Sequence, residues 1–341
     1  VTPDLSPWQG PARDLASRIV AFIDSALDSE PSETFDALAL DLHRYQIARC
    51  EVRSRLTDAE PTDATEIPAI PVSLYASLAV GTVPDGEAPV AFRTSGTTSG
   101  ARGVHRLRST ALYDYGATRW ARRHLVPWPH RSVNLLLDPT QHPDSSLSHM
   151  IATFAADACW VQEPAGIDVD RLRAALARGP AFVATTAFAL AQWLDHDPAP
   201  LPTPSTLMIT GGFKGRESAY DADTLIASAS RLLRPAEVVL EYGMTELSSQ
   251  LWAKVGEPYH PPPWLRALAV DPVSEVVLPA GAAGQLRFID LCNLDSSVAI
   301  ETLDHGYVTD DGGVVLLGRL PGSEARGCSL TAEDALRGGP R

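Results

Sequence analysis

Two short stretches of this chain carry residue types suited to a nucleotide. Thr94-Ser95-Gly96-Thr97-Thr98-Ser99-Gly100-Ala101-Arg102-Gly103 sets hydroxyls and glycines ahead of a cation. Hydroxyls, and backbone N–H groups left accessible at glycine, can donate to phosphate oxygens, while arginine adds a fixed positive charge. The run is neither a Walker loop, which needs lysine followed by Ser or Thr, nor a GxGxxG fingerprint, and a flexible turn has the same composition. Far downstream, Glu241-Tyr242-Gly243-Met244-Thr245-Glu246 places an aromatic ring, a hydroxyl and a carboxylate close together. These suit, in turn, adenine, an α-phosphate and Mg²⁺, so the two stretches together suggest ATP-dependent formation of an adenylate.

The elements that must hold these stretches read as an α/β protein. Leu15, Ile19, Ile23 and Leu27 recur at fourfold spacing, and Phe35, Leu38, Leu42, Tyr45, Arg49 and Val52 keep a three-four rhythm, which predicts two amphipathic helices. Residues 58–71, with Pro61, Pro68 and Pro71, break the rhythm and predict a surface connection. A strand over 90–93 then delivers the hydroxyl-rich loop, with a helix expected over 109–122, the usual strand, loop, helix setting for phosphate. Strands over 133–137, 181–185, 206–209 and 238–240 alternate with helices over 145–156, 168–177 and 187–195, which argues for sheets covered by helices. Proline-rich loops lie at 197–202 and 258–264, and after the second the pattern changes to short strands over 276–278, 285–291, 298–300 and 314–317. The expected division is an α/β core with N-terminal helices over 1–263, a small β subdomain over 264–320 and a hinge-like tail over 321–341.

Composition narrows the function. With 341 residues, 45% hydrophobic and 21% charged, the chain can bury a substantial core. A formal charge of −14 with scattered arginines argues against a nucleic-acid partner. The four cysteines (Cys50, Cys159, Cys292, Cys328) form no CxxC pair and no ligand spacing, so neither a disulfide framework nor a structural zinc site is expected. No apolar run is long enough for a membrane span, and a reducing cytoplasm is the expected location. Lysine occurs only at Lys214 and Lys254.

The order of motifs resembles the adenylate-forming superfamily of acyl-CoA synthetases, firefly-luciferase-like enzymes and peptide-synthetase adenylation domains. Residues 94–103 resemble its TSGTTG-type loop, and 242–246 its YGxTE motif. Asp304 followed by Gly318-Arg319 resembles its ribose-binding aspartate and hinge-preceding GR. Closer matches are similar to LuxE-type acyl-protein synthetases: Arg44-Tyr45-Gln46, Ile67-Pro68-Ala69-Ile70-Pro71, Asp144-Ser145-Ser146-Leu147-Ser148-His149-Met150, Gly211-Gly212-Phe213-Lys214-Gly215-Arg216, and Gly318-Arg319 followed by residues 322–330. The resemblance runs from about Phe35 to Leu330 and implies an acid–thiol ligase of the AMP-forming acyl-synthetase type. In that family ATP activates an acid, and the acyl group passes to a cysteine near the C-terminus. The implied fold is the superfamily's N-terminal domain, helix-covered sheets with a small C-terminal β subdomain, without the usual separate lid domain. No lysine follows Lys254 in this sequence, so residues 255–341 are not expected to supply the lysine that such a lid brings.

By resemblance, Tyr242 stacks on adenine, Thr245 touches the α-phosphate and Glu246 holds Mg²⁺. Thr94, Ser95, Gly96, Thr97 and Thr98 grip the phosphates with Arg102; Gly211 and Gly212 admit adenine to the backbone or merely turn the chain, and Glu241 and Gly243 belong to the nucleotide site. Asp304 and Arg319 take the ribose. Lys214 and His149 are candidates for the acyl pocket, Lys214 also for phosphate, although a surface lysine and a core histidine fit equally; His105 reads as a core histidine. Cys328, beside Arg326, is the candidate acyl acceptor, since a neighbouring cation favours thiolate; a buried apolar cysteine is the alternative. Expected partners are a carboxylic acid and a thiol on Cys328, a carrier protein, a partner enzyme or coenzyme A. Two other functions fit the same residues: acyl transfer from a thioester without adenylation, and a non-catalytic nucleotide-binding subunit of a multienzyme complex.

Overall fold

The computed structural model describes residues 2–56, 60–84, 86–94, 102–211 and 222–320. Helices α1 (Pro11–Asp28), α2 (Phe35–Ile47) and α3 (Glu51–Ser54) come first, then β1 (Ile70–Pro71), β2 (Val90–Arg93), β3 (Val104–Leu107) and α4 (Ala111–His124). There follow β4 (Arg131–Leu137), α5 (Ser146–Ala152), β5 (Asp157–Glu163), β6 (Gly166–Ile167), α6 (Val169–Leu176), β7 (Phe182–Thr186) and α7 (Ala187–Leu194). Next come β8 (Thr206–Thr210), α8 (Ala222–Leu233), β9 (Glu237–Tyr242) and β10 (Leu251–Lys254). Strands β11 (Leu265–Val270), β12 (Gly284–Asp290), β13 (Ala299–Val308) and β14 (Val314–Arg319) complete the order. The chain divides into two units: a discontinuous one drawn from residues 1–117, 244–249 and 260–341, and one drawn from 118–243 and 250–259.

The second unit is built on a seven-stranded sheet in the order β10-β9-β8-β7-β4-β5-β6. Strands β9, β8, β7, β4 and β5 run parallel, and antiparallel β10 and β6 close the two edges. Parallel strands covered on both faces are buried along their length: Ser132 to Leu136 of β4 are all buried, with Asn134 Nδ2 donating to Ser132 Oγ at 3.0 Å among the apolar residues. Leu172 of α6, Leu190 of α7 and Leu225 of α8 join Val133, Val183 and Leu207 in one core cluster. Side-chain caps start two of these helices: Asp168 accepts from Arg171 N at 2.9 Å, and Thr186 from Ala189 N at 3.1 Å.

The first unit holds a five-stranded sheet, β1-β13-β12-β11 with β14 also on β13, together with the antiparallel β2–β3 pair. Pro11 opens α1 at a position where its missing N–H costs nothing, and Leu15, Ile19 and Ile23 are buried as their spacing predicts. Arg18 pairs with Glu33 and, at 2.6 Å, with Asp41 of α2. Unlike the apolar sheet core, this unit also buries a polar loop: Asp290, Asn293, Asp295, Ser296 and Ser297 are at most 1% exposed.

Several expectations are corrected. The hydroxyl-rich loop joins two strands rather than a strand and a helix: β3 intervenes, with His105 and Leu107 buried on one face and Arg93 in register with Val104. The second N-terminal helix breaks after Ile47, because Cys50 is extended (φ −117°, ψ 108°) and caps the short α3. The helix expected over 145–156 ends at Ala152, and β5 pairs with β4 beyond it. Residues 276–278 form no strand; Val276 and Val277 are exposed, and only a single bridge ties Val277 to Val270. Among the described residues, no helix is long and apolar enough to cross a membrane.

Candidate functional site

In the first unit the described ends of the hydroxyl-rich loop form a closed neck. Thr94 N donates to Gly103 O at 3.0 Å, and Gly103 N donates to Thr94 Oγ1 at 2.8 Å. Arg102 turns its Nε onto Thr94 O and an Nη onto Arg93 O at 3.2 Å, so its guanidinium engages the main chain of the neck. A Cβ added at Gly103 would lie 3.0 Å from Thr94 Cγ2, 3.3 Å from Tyr75 Cβ and 3.4 Å from Glu246 Oε1. The neck therefore abuts the carboxylate at the end of the second motif, and a side chain at position 103 would crowd that approach.

Two residues beyond Gly103, His105 is fully buried and its Nδ1 lies 2.6 Å from Thr245 O. A carbonyl only accepts, so Nδ1 carries the proton. Burial holds the imidazole neutral, its pKa lowered to about 4 with the Thr245 bond opposing that shift. Nε2 is buried and has no hydrogen-bond partner among the described residues. The Tyr75 ring stands edge-on to His105 at 6.3 Å, and its hydroxyl lies 2.9 Å from Ser296 Oγ. Burial raises the Tyr75 pKa above the usual phenol range, with the Glu246 charge contributing.

Thr245 and Glu246 lie in a turn in which Leu247 N donates to Met244 O at 3.2 Å. The buried 290–298 loop meets it. Asn293 Nδ2 donates to Glu246 O at 3.0 Å and to Ser297 O at 2.9 Å. Ser248 Oγ donates to Asn293 Oδ1 at 2.6 Å. Asp290 accepts from Ser248 N (2.9 Å), Ser249 Oγ (2.7 Å) and Cys292 N (2.9 Å). Desolvation nonetheless outweighs these donors and raises its pKa to about 6. Elsewhere in the unit, Asp304 and Arg319 are cross-strand partners on β13 and β14, with Nε 3.8 Å from Oδ1.

The second unit places Gly211, Glu241, Tyr242 and Gly243 at the ends of neighbouring strands β8 and β9. Thr210 Oγ1 donates to the buried Glu241 carboxylate. Gly243 lies against that same carboxylate: an added Cβ would sit 2.5 Å from Glu241 Oε1. Gly211 has φ +72°, a left-handed conformation that glycine adopts without strain. Tyr242 packs at 6.0 Å and 60° on Tyr259, whose pKa is pushed up to about 12 by burial and then by the Glu241 charge. His149 is half-buried on α5.

Thr94, Arg102, Gly103, Thr245 and Glu246 thus come together in one unit, as do Asp304 and Arg319, while Gly211, Glu241, Tyr242 and Gly243 come together in the other. Ser95, Gly96, Thr97, Thr98, Gly212, Lys214 and Cys328 lie outside the described residues. Sequence reasoning overlooked Tyr75, Thr210, Tyr259, Asp290 and Asn293 and gave His105 no site role. The run of small polar residues over 290–297, between two strand patterns, is the signal that could have found the buried loop. Among the described residues, no group of three or more His, Cys, Asp or Glu is arranged to hold a metal ion. Glu246 alone suits a hard cation that takes its remaining ligands from phosphate oxygens and water.

No family model matches the chain, and a search of curated proteins found no match. Among solved structures, the chain is similar to o-succinylbenzoate CoA synthetase from Bacillus subtilis in complex with ATP and magnesium, at a TM-score of 0.50 and 15% identity over 67% of this chain and 49% of that one. The same enzyme with its acyl-adenylate intermediate gives 0.50 and 16%, over 67% and 62%. A luciferase-like enzyme from the nonluminescent mealworm Zophobas morio gives 0.50 and 16%, over 70% and 59%. The chain spans about half the length of the first solved structures it matches, 49% in the ATP complex. The fold is that of the N-terminal domain of adenylate-forming enzymes.

Proposed function

We propose that this chain activates a carboxylic acid with ATP and passes the acyl group to a thiol, in the manner of LuxE-type acyl-protein synthetases. The observation that carries the proposal is the neck of the Ser/Thr/Gly loop at Thr94 and Gly103 lying against the Glu246 carboxylate. A phosphate-binding loop and a metal-binding carboxylate belong side by side if one magnesium nucleotide is to satisfy both. The B. subtilis enzyme of similar fold was solved with ATP and magnesium, which is in keeping with the same ligands here.

In the first half-reaction a carboxylate oxygen attacks the α-phosphorus in line; the bond to the bridging oxygen breaks, pyrophosphate leaves and an acyl-adenylate forms. In the second, a thiolate attacks the acyl carbon and AMP leaves. Thr245 would donate to the α-phosphate, and Glu246 would hold Mg²⁺, which when bound would supply positive charge for the departing pyrophosphate. Tyr242 stacks on adenine, Glu241 and the glycines at 211 and 243 border it, and Asp304 with Arg319 takes the ribose hydroxyls. Arg102 steadies the loop through the carbonyls it engages and adds its charge there. Most of the acceleration comes from positioning and electrostatics rather than proton transfer. The acceptor thiol is Cys328, a carrier protein, a partner enzyme or coenzyme A.

Isotope exchange between pyrophosphate and ATP, screened over fatty, aryl and amino acids with hydroxylamine trapping, tests this. Exchange dependent on one acid class is expected, falling about a hundredfold or more in Glu246→Gln. Its absence with every acid, despite ATP binding, would overturn the proposal.

A further inference from the structure

Glu246 and Thr245 sit in an irregular turn, so no strand ladder fixes the direction in which their side chains point. The two consecutive carbonyls at the centre of that turn each receive one buried side-chain donor. His105 Nδ1 reaches Thr245 O at 2.6 Å, and Asn293 Nδ2 reaches Glu246 O at 3.0 Å. Both donors are fully buried, and their roles are fixed by what they face. Flipping the Asn293 amide would turn its oxygen onto the carbonyls of Glu246 and Ser297. His105 must protonate Nδ1 to face a carbonyl.

The clamp continues outward. Asn293 O accepts from Gln46 Nε2 of α2 at 2.7 Å, and Gln46 Oε1 accepts from Val298 N at 2.9 Å. Arg53 of α3 donates to Ser297 Oγ at 2.6 Å and to Pro68 O at 3.3 Å. Gln46, prominent in the sequence but given no chemistry, thus holds the loop that holds the turn, and Pro68 O anchors the Arg53 that supports it.

We propose that His105 and Asn293 are positioning residues that preset Thr245 and Glu246 for the magnesium nucleotide, an assignment that rests on the function proposed above. Donors on two consecutive main-chain carbonyls restrict the directions in which the Thr245 and Glu246 side chains can point, as supporting partners do for residues that bind a metal.

The test pairs His105→Leu, which removes the donor at similar size, with His105→Asn, whose side-chain N–H reaches about as far as Nδ1. Asn293→Ala is the companion variant. In the nucleotide-free proteins, hydrogen–deuterium exchange at residues 245–249 is expected to rise about tenfold in His105→Leu, to return to near the wild-type rate in His105→Asn, and to leave the seven-stranded sheet unchanged. The apparent constant for Mg²⁺ in ATP–pyrophosphate exchange is expected to rise about tenfold in His105→Leu, with KM for the acid unaltered. Wild-type amide exchange and Mg²⁺ dependence in His105→Leu would overturn the proposal, as would a His105→Asn variant no better than His105→Leu. If Asn293→Ala fails to fold, the His105 pair decides alone. If the wild type shows no ATP–pyrophosphate exchange with any acid, the proposed activity fails, and the amide-exchange measurement still judges the clamp.

Discussion

The two units of this protein weight apolar and polar burial differently. The sheet unit packs Val133, Val183, Leu190 and Leu207 into a core held by apolar burial, which is tolerant of direction. The discontinuous unit buries Asp290, Asn293, Asp295 and Gln46 beside its apolar residues and must satisfy each polar atom. A hydrogen-bonded interior is directional, so it fixes the main chain of the Thr245–Glu246 turn in a way that side-chain packing alone would not. The contrast teaches that precision and bulk stability are assigned to different places in the chain.

Perturbations of graded size can break or sharpen this contrast. Asp290→Ala strands three buried donors and should cost about 4 kcal/mol of unfolding free energy in urea titration. A loss under 1 kcal/mol would show that the polar interior is not cooperative. Leu190→Ala, by contrast, should cost about 3 kcal/mol while leaving ATP–pyrophosphate exchange intact well below the melting temperature. Acid should affect chiefly the polar unit. His105 and His43 are both lowered to about 4 by burial, so the unfolded chain takes up protons first as pH falls below 6.5. Each histidine's contribution is complete above pH 6.5 and fades on the way to 4, while Asp290, raised to about 6, works in the opposite direction. His105→Asn should therefore remove roughly 2 kcal/mol of the stability lost between pH 7 and 5, read from denaturant midpoints at each pH. An unchanged slope would mean that His105 titrates normally. The smallest expected effect is Thr210→Val, about 1 kcal/mol for the lost bond to Glu241. If that variant matched the wild type in stability, the carboxylate would need no support from β8.

The same contrast explains how much can be read from the sequence. The apolar strands β4, β7, β8 and β9 and the helix α1 are legible because burial on a regular element imposes a period. Strand β5, next to the edge strand β6, is not: it alternates poorly, with both ends exposed, and Asp157-Ala158-Cys159 follows a buried helix end that resembles its continuation. In the candidate site, Thr94, Gly103, Thr245 and Glu246 are legible from residue type and local order. Asn293 and Asp290 are not, because their partners in the turn, Glu246 and Ser248, lie more than 40 positions away and no period connects them. His105 looks like any inward-facing strand residue, and only its bond to Thr245 O, 140 residues distant, gives it a role.

The link from Gln46 to Asn293 spans 247 positions and carries a consequence for the ribosome. During synthesis the sheet unit's main segment, residues 118–243, is exported before the loop that Gln46 needs has been translated. Gln46 of α2 must then wait, its amide bonded to water, until the loop at 290–298 arrives.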